Sequence, residues 1–454
     1  MQATRSTTLV THAEDRRQVL HMSMAAFALL LRVLTWEEAL ACALAALLFN
    51  LFVLPRVGGR RLFRDADIAR GYPAGIVLYP LSVSLLIVLF PTRLDIAAAA
   101  WGIMALGDGM ATIVGRRFNT RRLPWNGDKT VGGLLAFIIS GAIGGTLLAL
   151  WVRPGVSPVP SLLFAGAAPA FAAIAAGFAE SIPIRLDDNI SVPAIAALIL
   201  WSISLASIDI STAHAAVILR LAGIGLLANL AAGWIGWRLR TVSVPGAIAG
   251  VAIGTIVYAG AGPGAWGLLM ATFICAAVCS RLGVRRKRLL GIAQERGGRR
   301  GPGNAIANCG VAAGAALLVA CSGHTELARL ALVIAFAAAG SDTAASEIGK
   351  AWGRHPFLFT RGTFVPAGTS GAMSLEGTAA GLLAAFGLAA IGVAAVLVPW
   401  AHVWVVVVAA TAGSFVESVL GATLEASGTL NNDALNFLNT AAAVAVGLVL
   451  AVIA

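Results

Sequence analysis

Long runs of apolar and small residues, broken by short polar and basic stretches, set the pattern of this chain. Runs such as LLAFIISGAIGGTLLALWV and VVVVAATAGSF have no polar face. A helix that is apolar all round belongs in a core or a bilayer, and about 20 such residues cross a bilayer. Read this way, the chain is all-α, a polytopic integral membrane protein of about fifteen transmembrane helices. They are expected at roughly 19–34, 38–54, 74–90, 95–115, 131–151, 160–179, 191–208, 214–236, 244–260, 264–280, 305–321, 327–345, 376–398, 401–420 and 436–454. A division near residue 210 puts seven spans in a first part, 1–210, and eight in a second, 211–454. Gly, Pro and Arg make the basic stretch Arg281 to Arg300 a loop and not a helix.

Composition strengthens this picture. Apolar residues make up 59% of the 454, charged residues 12%, and the mean hydropathy is +0.87; soluble chains carry about 25% charged residues. The net charge of +11 would suggest nucleic acid in a soluble chain. Here it follows the positive-inside rule. With a cytoplasmic N-terminus, only Arg32, Arg93, Arg153, Arg220 and Arg329 of the 32 Lys and Arg fall on or near the far side. The expectation is an inner-membrane protein of a bacterium, N-terminus in the cytoplasm and C-terminus outside, with the lipid bilayer and not nucleic acid as its surroundings. The cysteines, Cys42, Cys275, Cys279, Cys309 and Cys321, lie in apolar segments and are read as buried small hydrophobes. Oligomeric state has no signal in the sequence.

The polar punctuation recurs. GDGMATIVGRR, around Asp108, is matched by GSDTAASEIGK, around Asp342; FAESIPIRLDDN, with Glu180, Asp187, Asp188 and Asn189, is matched by SFVESVLGATLEASGTLNND, with Glu417, Asn431, Asn432 and Asp433. An eighth span before the second set restores its orientation, so the repeats are expected to be parallel, with both motif sets on the cytoplasmic side. Carboxylates near lipid are costly, about 3 kcal/mol each on insertion scales, and mark functional sites. Together with Arg116, Arg117 and Lys129 they make a combination suited to phosphoryl transfer. Carboxylates hold Mg²⁺, cations hold phosphate oxygens, and a carboxylate accepts the proton of an attacking hydroxyl. No Walker A, protein-kinase or Rossmann signature is present.

GDGMATIVGRRF, LPWNGDKTVGG and AESIPIRLDDNISVP, with Arg16, Arg17 and His21 in EDRRQVLHMS and with RGYPAGIVLYPLSV, resemble the phytol kinase and dolichol kinase family over about residues 14–208. That resemblance implies CTP as phosphate donor and a polyprenol-type alcohol as acceptor. One position departs: the family's Lys-Thr/Ser-x-Glu-Gly has Gly132 where the Glu stands. The second half, through NAIANCG, SDTAASEIGKAWG, VPAGTSGAMSLEGT, GSFVESVLGATLE and LNNDALNFLNT, resembles the membrane family that includes the plastid phytyl-phosphate kinase, over about residues 225–454. There Glu376-Gly377 keeps the acid, Asn308 takes the place of the family's first conserved Asn, and Arg361 lies in a loop suited to phosphate.

These likenesses imply an isoprenoid alcohol kinase joined to a prenyl-monophosphate kinase, with Mg²⁺ and a nucleoside triphosphate, CTP, as co-substrate. Asp108, Glu180, Asp342 and Glu417 are the candidate catalytic residues, and Asp108, Asp188, Asp342 and Asp433 the candidate metal ligands. Arg116, Arg117, Lys129, Asn189, Asn308, Lys350, Arg361, Glu376 and Asn432 are the candidate substrate- or nucleotide-binding residues. The alternatives are a lipid-phosphate cytidylyltransferase, which would use the same acids, and a transporter, in which repeats are equally at home.

Overall fold

The computed structural model describes residues 15–57, 74–118, 120–292 and 299–453. The chain forms two compact units, Met1–Ser204 and Leu205–Ala454. In the first, α1 (residues 15–23, continued as a 3₁₀ helix, Met24–Arg32) and α2 (Trp36–Leu48) precede α3 (Ala74–Leu89). Then comes α4, Leu94–Arg117, with a π-helical stretch, Ile103–Asp108, inside it. A short antiparallel hairpin, β1 (Arg122–Leu123) and β2 (Asn126–Thr130), leads to α5 (Val131–Val152), α6 (Leu162–Glu180) and α7 (Asp188–Ser204).

In the second unit α8 (Ile208–Arg238), α9 (Val244–Arg281) and the short α10 (Val284–Leu289) precede α11 (Pro302–Cys321) and α12 (Thr325–Trp352). The hairpin β3 (Phe357–Leu358) and β4 (Thr363–Phe364) leads to α13 (Leu375–Ala394), α14 (Val403–Leu420, continued as π turns, Gly421–Glu425) and α15 (Asn432–Ile453). Among the described residues, eleven helices are long and apolar enough to cross a membrane; α3 and α7 are shorter apolar helices.

The 38 residues of α9 would extend about 57 Å if straight. They do not. Gly262 has φ +83° and ψ −178°, ahead of Pro263. Tyr258 and Trp266, on either side of the break, meet with ring centroids 6.1 Å apart. Toward the two ends, Gly246 abuts the Arg300 carbonyl, while the Arg300 guanidinium lies 5.8 Å from the centre of the Phe273 ring. The stretch is thus a pair of antiparallel arms, and each expected span from 244 to 280 has its own arm. Only a glycine takes this φ without strain.

Both units are built around one helix that is buried on all sides. In α4 every residue from Leu94 to Ala105 is buried; in α12 every residue from Leu330 to Ser341 is. The runs AAAAW and AFAAAG make this close packing feasible, because small side chains let helices approach. At the outer end of α4 the buried Asp95 is held in a bidentate pair by Arg93, with both contacts at 2.9 Å. At the other end the burial stops at Asp108 and Asp342, which are half-buried.

The helix that follows each hairpin is seated identically. Thr130 caps α5 by accepting from Gly133 N–H (3.1 Å), and Ser374 caps α13 by accepting from Gly377 N–H (3.2 Å). A Cβ on Gly133 would lie 3.5 Å from Gly115 Cα, and one on Gly377 3.2 Å from Gly349 Cα. Each central helix therefore meets its neighbour almost backbone to backbone.

The acidic Gly-Asp-Gly and Gly-Ser-Asp segments do not break their helices. Both lie inside continuous helices, Asp342 ten residues before the end of α12, or about 15 Å along its axis. The residues after Asp342, TAASEIGKAW, contain no breaker until Gly353, so helix propagation continues. The basic stretch is not all loop either: Val284–Leu289 is helical, and residues 293–298 lie outside the described ones.

Candidate functional site

In the first unit three acids from three helices converge. Carboxylate oxygens of Asp108 (α4), Glu180 (the last residue of α6) and Asp188 (the first of α7) all lie within 4.8 Å of one another. Among the described residues this is the one group of three or more such ligands. Asp108 is placed where π turns give way to α turns, a local widening common at functional sites.

The β1–β2 hairpin carries the countercharge. Lys129 Nζ lies 2.5 Å from Glu180 Oε1 and 4.0 Å from Asp188 Oδ2, and also donates to the Glu180 carbonyl at 2.5 Å. The hairpin is clamped to the end of α6 by Ser181. Trp125 Nε1 donates to its Oγ at 3.0 Å, and Asn126 Nδ2 donates to its carbonyl at 3.0 Å. Trp125 also packs on Phe178. These contacts fix the backbone from which Lys129 reaches.

On the other side of Asp108, His21 Nε2 stands 3.7 Å from Asp108 Oδ2. The imidazole packs edge-on against Tyr79, whose hydroxyl accepts from Trp101 Nε1 at 2.7 Å. Asn189 donates its side-chain amide to Asp187 at 2.8 Å, its main-chain carbonyl accepts from Ser82, and its Oδ1 is buried with no partner. Arg116 and Arg117 are exposed at the end of α4, and Arg117 pairs with Asp15 at 3.1 Å.

Gly132 answers the departure noted above. Its N–H donates to Thr120 Oγ1 at 2.8 Å, and a Cβ there would lie 2.7 Å from that oxygen. Thr120 thus fills the space a Glu side chain would leave through.

The second unit repeats part of this set. Asp342 (α12) and Glu417 (α14) lie close enough to act on each other electrostatically, and Asn439 lies beside Glu417. Lys350 acts electrostatically on Asp342. Buried Glu417 Oε2 and Asn439 Oδ1 have no hydrogen-bond partner. Ser418, the residue after Glu417, donates to the Gly371 carbonyl at 2.5 Å, and Phe359 of the hairpin region packs on Phe415.

Asp433 does not join this pair in a group of three. Its Oδ2 lies over Gly303, where a Cβ would come within 2.1 Å of it, in the first turn of α11. Negative charge is favoured there by the helix dipole. Asn431, not Asn432, caps α15 by accepting from Ala434 N–H at 2.9 Å, and Asn432 is exposed. Asn308 donates back to the Asn304 carbonyl at 2.9 Å. Glu376 accepts from Arg354 N–H at 3.4 Å and lies 4.0 Å from its guanidinium. Arg361 is exposed between β3 and β4.

Several polar residues here had no distinct signal in the sequence. Lys287 looks like its arginine neighbours, yet it is only 2% exposed and paired with Glu347, also 2% exposed. Ser370 donates to Gly421 O at 3.1 Å and to Glu425, which ties the loop after β4 to the end of α14. Asn439 is buried on α15 together with Asn436 and Thr440. An Asn at such a place is a hint, but not of its partner.

Comparison with known proteins agrees with this architecture. The integral membrane protein family DUF92 matches residues 226–444. Protein VTE6, chloroplastic, of Arabidopsis thaliana is 37% identical over 205 residues, 44% of this chain and 62% of that protein. An uncharacterized membrane protein of Synechocystis sp. is 38% identical over 201 residues, 43% of this chain and 78% of that protein. A probable phytol kinase 3, chloroplastic, of Glycine max is 27% identical over 189 residues, 39% of this chain and 59% of that protein. The chain thus spans less than two thirds of the length of the two named plant proteins. No solved structure matches it significantly. With a buried multi-helix core, eleven membrane-length helices and these matches, the chain belongs to the integral membrane protein family DUF92.

Proposed function

We propose that the protein is a two-step isoprenoid kinase. The first unit phosphorylates a phytol- or polyprenol-type alcohol, and the second phosphorylates the resulting monophosphate to the diphosphate, with CTP as donor at each. The observation that carries this reading is the Asp108, Glu180 and Asp188 group with Lys129, set where the buried run of α4 stops. There a membrane-held alcohol can meet a water-borne nucleotide. Relatives named phytol kinase support the substrate class.

The acids fit a hard divalent cation. Mg²⁺ binds oxygens at about 2.1 Å, so opposite ligands stand about 4.2 Å apart. Carboxylates within 4.8 Å need to close by less than 1 Å or so to share one ion. Among the described residues, three carboxylates stand beside Lys129 and His21, a set that suits a cation. Asp108, Glu180 and Asp188 would hold the ion, which when bound offsets charge on the donor's phosphates. In the second unit Asp342 and Glu417 would do so.

The chain's own groups account for the rest. Lys129 orients Glu180 and Asp188. Asp108 accepts the alcohol proton as the oxygen attacks the γ-phosphorus. The bond from that phosphorus to the β-phosphate oxygen breaks, and CDP leaves. The test is purified protein with γ-labelled CTP and a panel of prenyl alcohols and monophosphates. Labelled prenyl phosphate with CDP supports the reading. Pyrophosphate release with label absent from the lipid makes the protein a cytidylyltransferase, and no turnover of either class leaves the transporter.

A further inference from the structure

Two cations of the basic stretch 281–300 turn inward. Lys287 on α10 pairs with Glu347 and donates to the Ser280 carbonyl at 3.0 Å. Arg300 is fixed by its backbone. Its N–H donates to Thr241 O, and its carbonyl accepts from Ser243 N–H, both at 3.0 Å. Its guanidinium lies over Phe273, and the ionisable groups around it are Cys309, Glu347, Cys275 and Cys279.

Among the described residues no carboxylate forms an ion pair with Arg300, and the one acid beside it, Glu347, is already bound to Lys287. Among the described residues, two cations thus stand against one carboxylate in a largely desolvated place. A cation in such a place is costly unless an anion joins it. Burial lowers the Arg300 pKa from its ordinary value, against the opposing pull of nearby Glu347. The location matters too. Glu347 is five residues beyond Asp342 on α12, about 7.5 Å along the axis. Arg300 precedes by three residues Gly303, over which Asp433 lies.

We infer that Arg300, beside the Lys287–Glu347 pair, is the receptor for the phosphate of a prenyl monophosphate in the second unit. This rests on the reading of that unit as a prenyl-phosphate kinase. A guanidinium presents paired N–H donors that match phosphate oxygens, which a neutral alcohol cannot exploit. The ring of Phe273 and the thiols of Cys275 and Cys309 make the wall beside it apolar, as an isoprenoid chain requires. The Lys287–Glu347 pair has a positioning role: it pins α10 to α12.

Binding, not turnover, tests this. Full-length protein in neutral-lipid nanodiscs is titrated with a labelled C20 prenyl monophosphate, with the matching alcohol, and with CTP. For R300Q the monophosphate Kd is expected to rise by about tenfold or more, while the CTP and alcohol constants stay as in the wild type. R300K should recover part of the loss. Unchanged monophosphate binding by R300Q overturns the inference and leaves the kinase reading intact. Loss of CTP binding alone overturns it too, because the anion received is then the nucleotide's. A wild type that neither binds nor phosphorylates the monophosphate removes both. Should R300Q fail to fold, phenylglyoxal labelling of Arg300 in the wild type decides. Protection by the monophosphate and not by alcohol or CTP supports the assignment, and equal labelling under all conditions overturns it.

Discussion

Lys129 holds a position whose loss should be felt at once. It touches Glu180 twice and reaches Asp188, so Lys129→Met leaves close carboxylates repelling one another. Alcohol phosphorylation is expected to fall by roughly a hundredfold or more, as for other charge-stabilising groups, read with labelled donor. Asp108→Asn should do the same, yet spare use of the monophosphate, and Asp342→Asn should show the reverse; equal loss of both activities in folded variants would mean one composite site. At Gly132, restoring the acid is expected to fail. Gly132→Glu must displace Thr120 and break the hydrogen bond between them, a loss of about 1 kcal/mol, visible as a lower melting temperature in detergent. Asp108, Glu180 and Asp188 could be chosen from the sequence because acids at apolar boundaries are rare and expensive. Asp433 misled as a partner of Asp342: an acid at a helix start looks alike whether it faces a site or, as here, another helix's first turn.

At the scale of elements, helices were legible and their joins were not. Apolar runs are long enough to reveal each helix, whereas α10 is six residues among arginines and its hold on the fold lies in one lysine. Lys287→Met alone should destabilise the second unit by about 3–5 kcal/mol, because buried Glu347 loses the Lys287 ammonium, while Lys287→Met with Glu347→Leu should recover much of that. A double-mutant cycle of unfolding in mixed micelles measures the coupling. The contact of α13 with α12 is equally exacting. A methyl on Gly377 would come within 2.6 Å of the Ala345 carbonyl, so Gly377→Ala is expected to cost about 1–3 kcal/mol by forcing the helices apart. The same unfolding assay reports it.

For the whole molecule, the two units share an order of parts: a central buried helix with an acid where its burial ends, a hairpin, a capped helix, and an acid-serine pair one helix later. Recurring motifs in the sequence suggested this order, since each polar group interrupts a long apolar stretch. Their spatial convergence was not legible, because it depends on how helices far apart in the chain pack. The charge asymmetry gives a topology to check. Reporter fusions at Pro263 and after Ala454 should score on the non-cytoplasmic side, and a cytoplasmic signal at the C-terminus would remove the argument that the repeats are parallel.

The reversal at Gly262 gives one backbone torsion authority over parity. If its φ of +83° were denied and the two arms of α9 ran on as one rod, that rod would exceed a hydrocarbon thickness of about 30 Å nearly twofold. The number of crossings would drop by one. Every later segment of the second unit, Asp342 and Glu417 with them, would then emerge on the leaflet opposite to the one it faces with the bend in place.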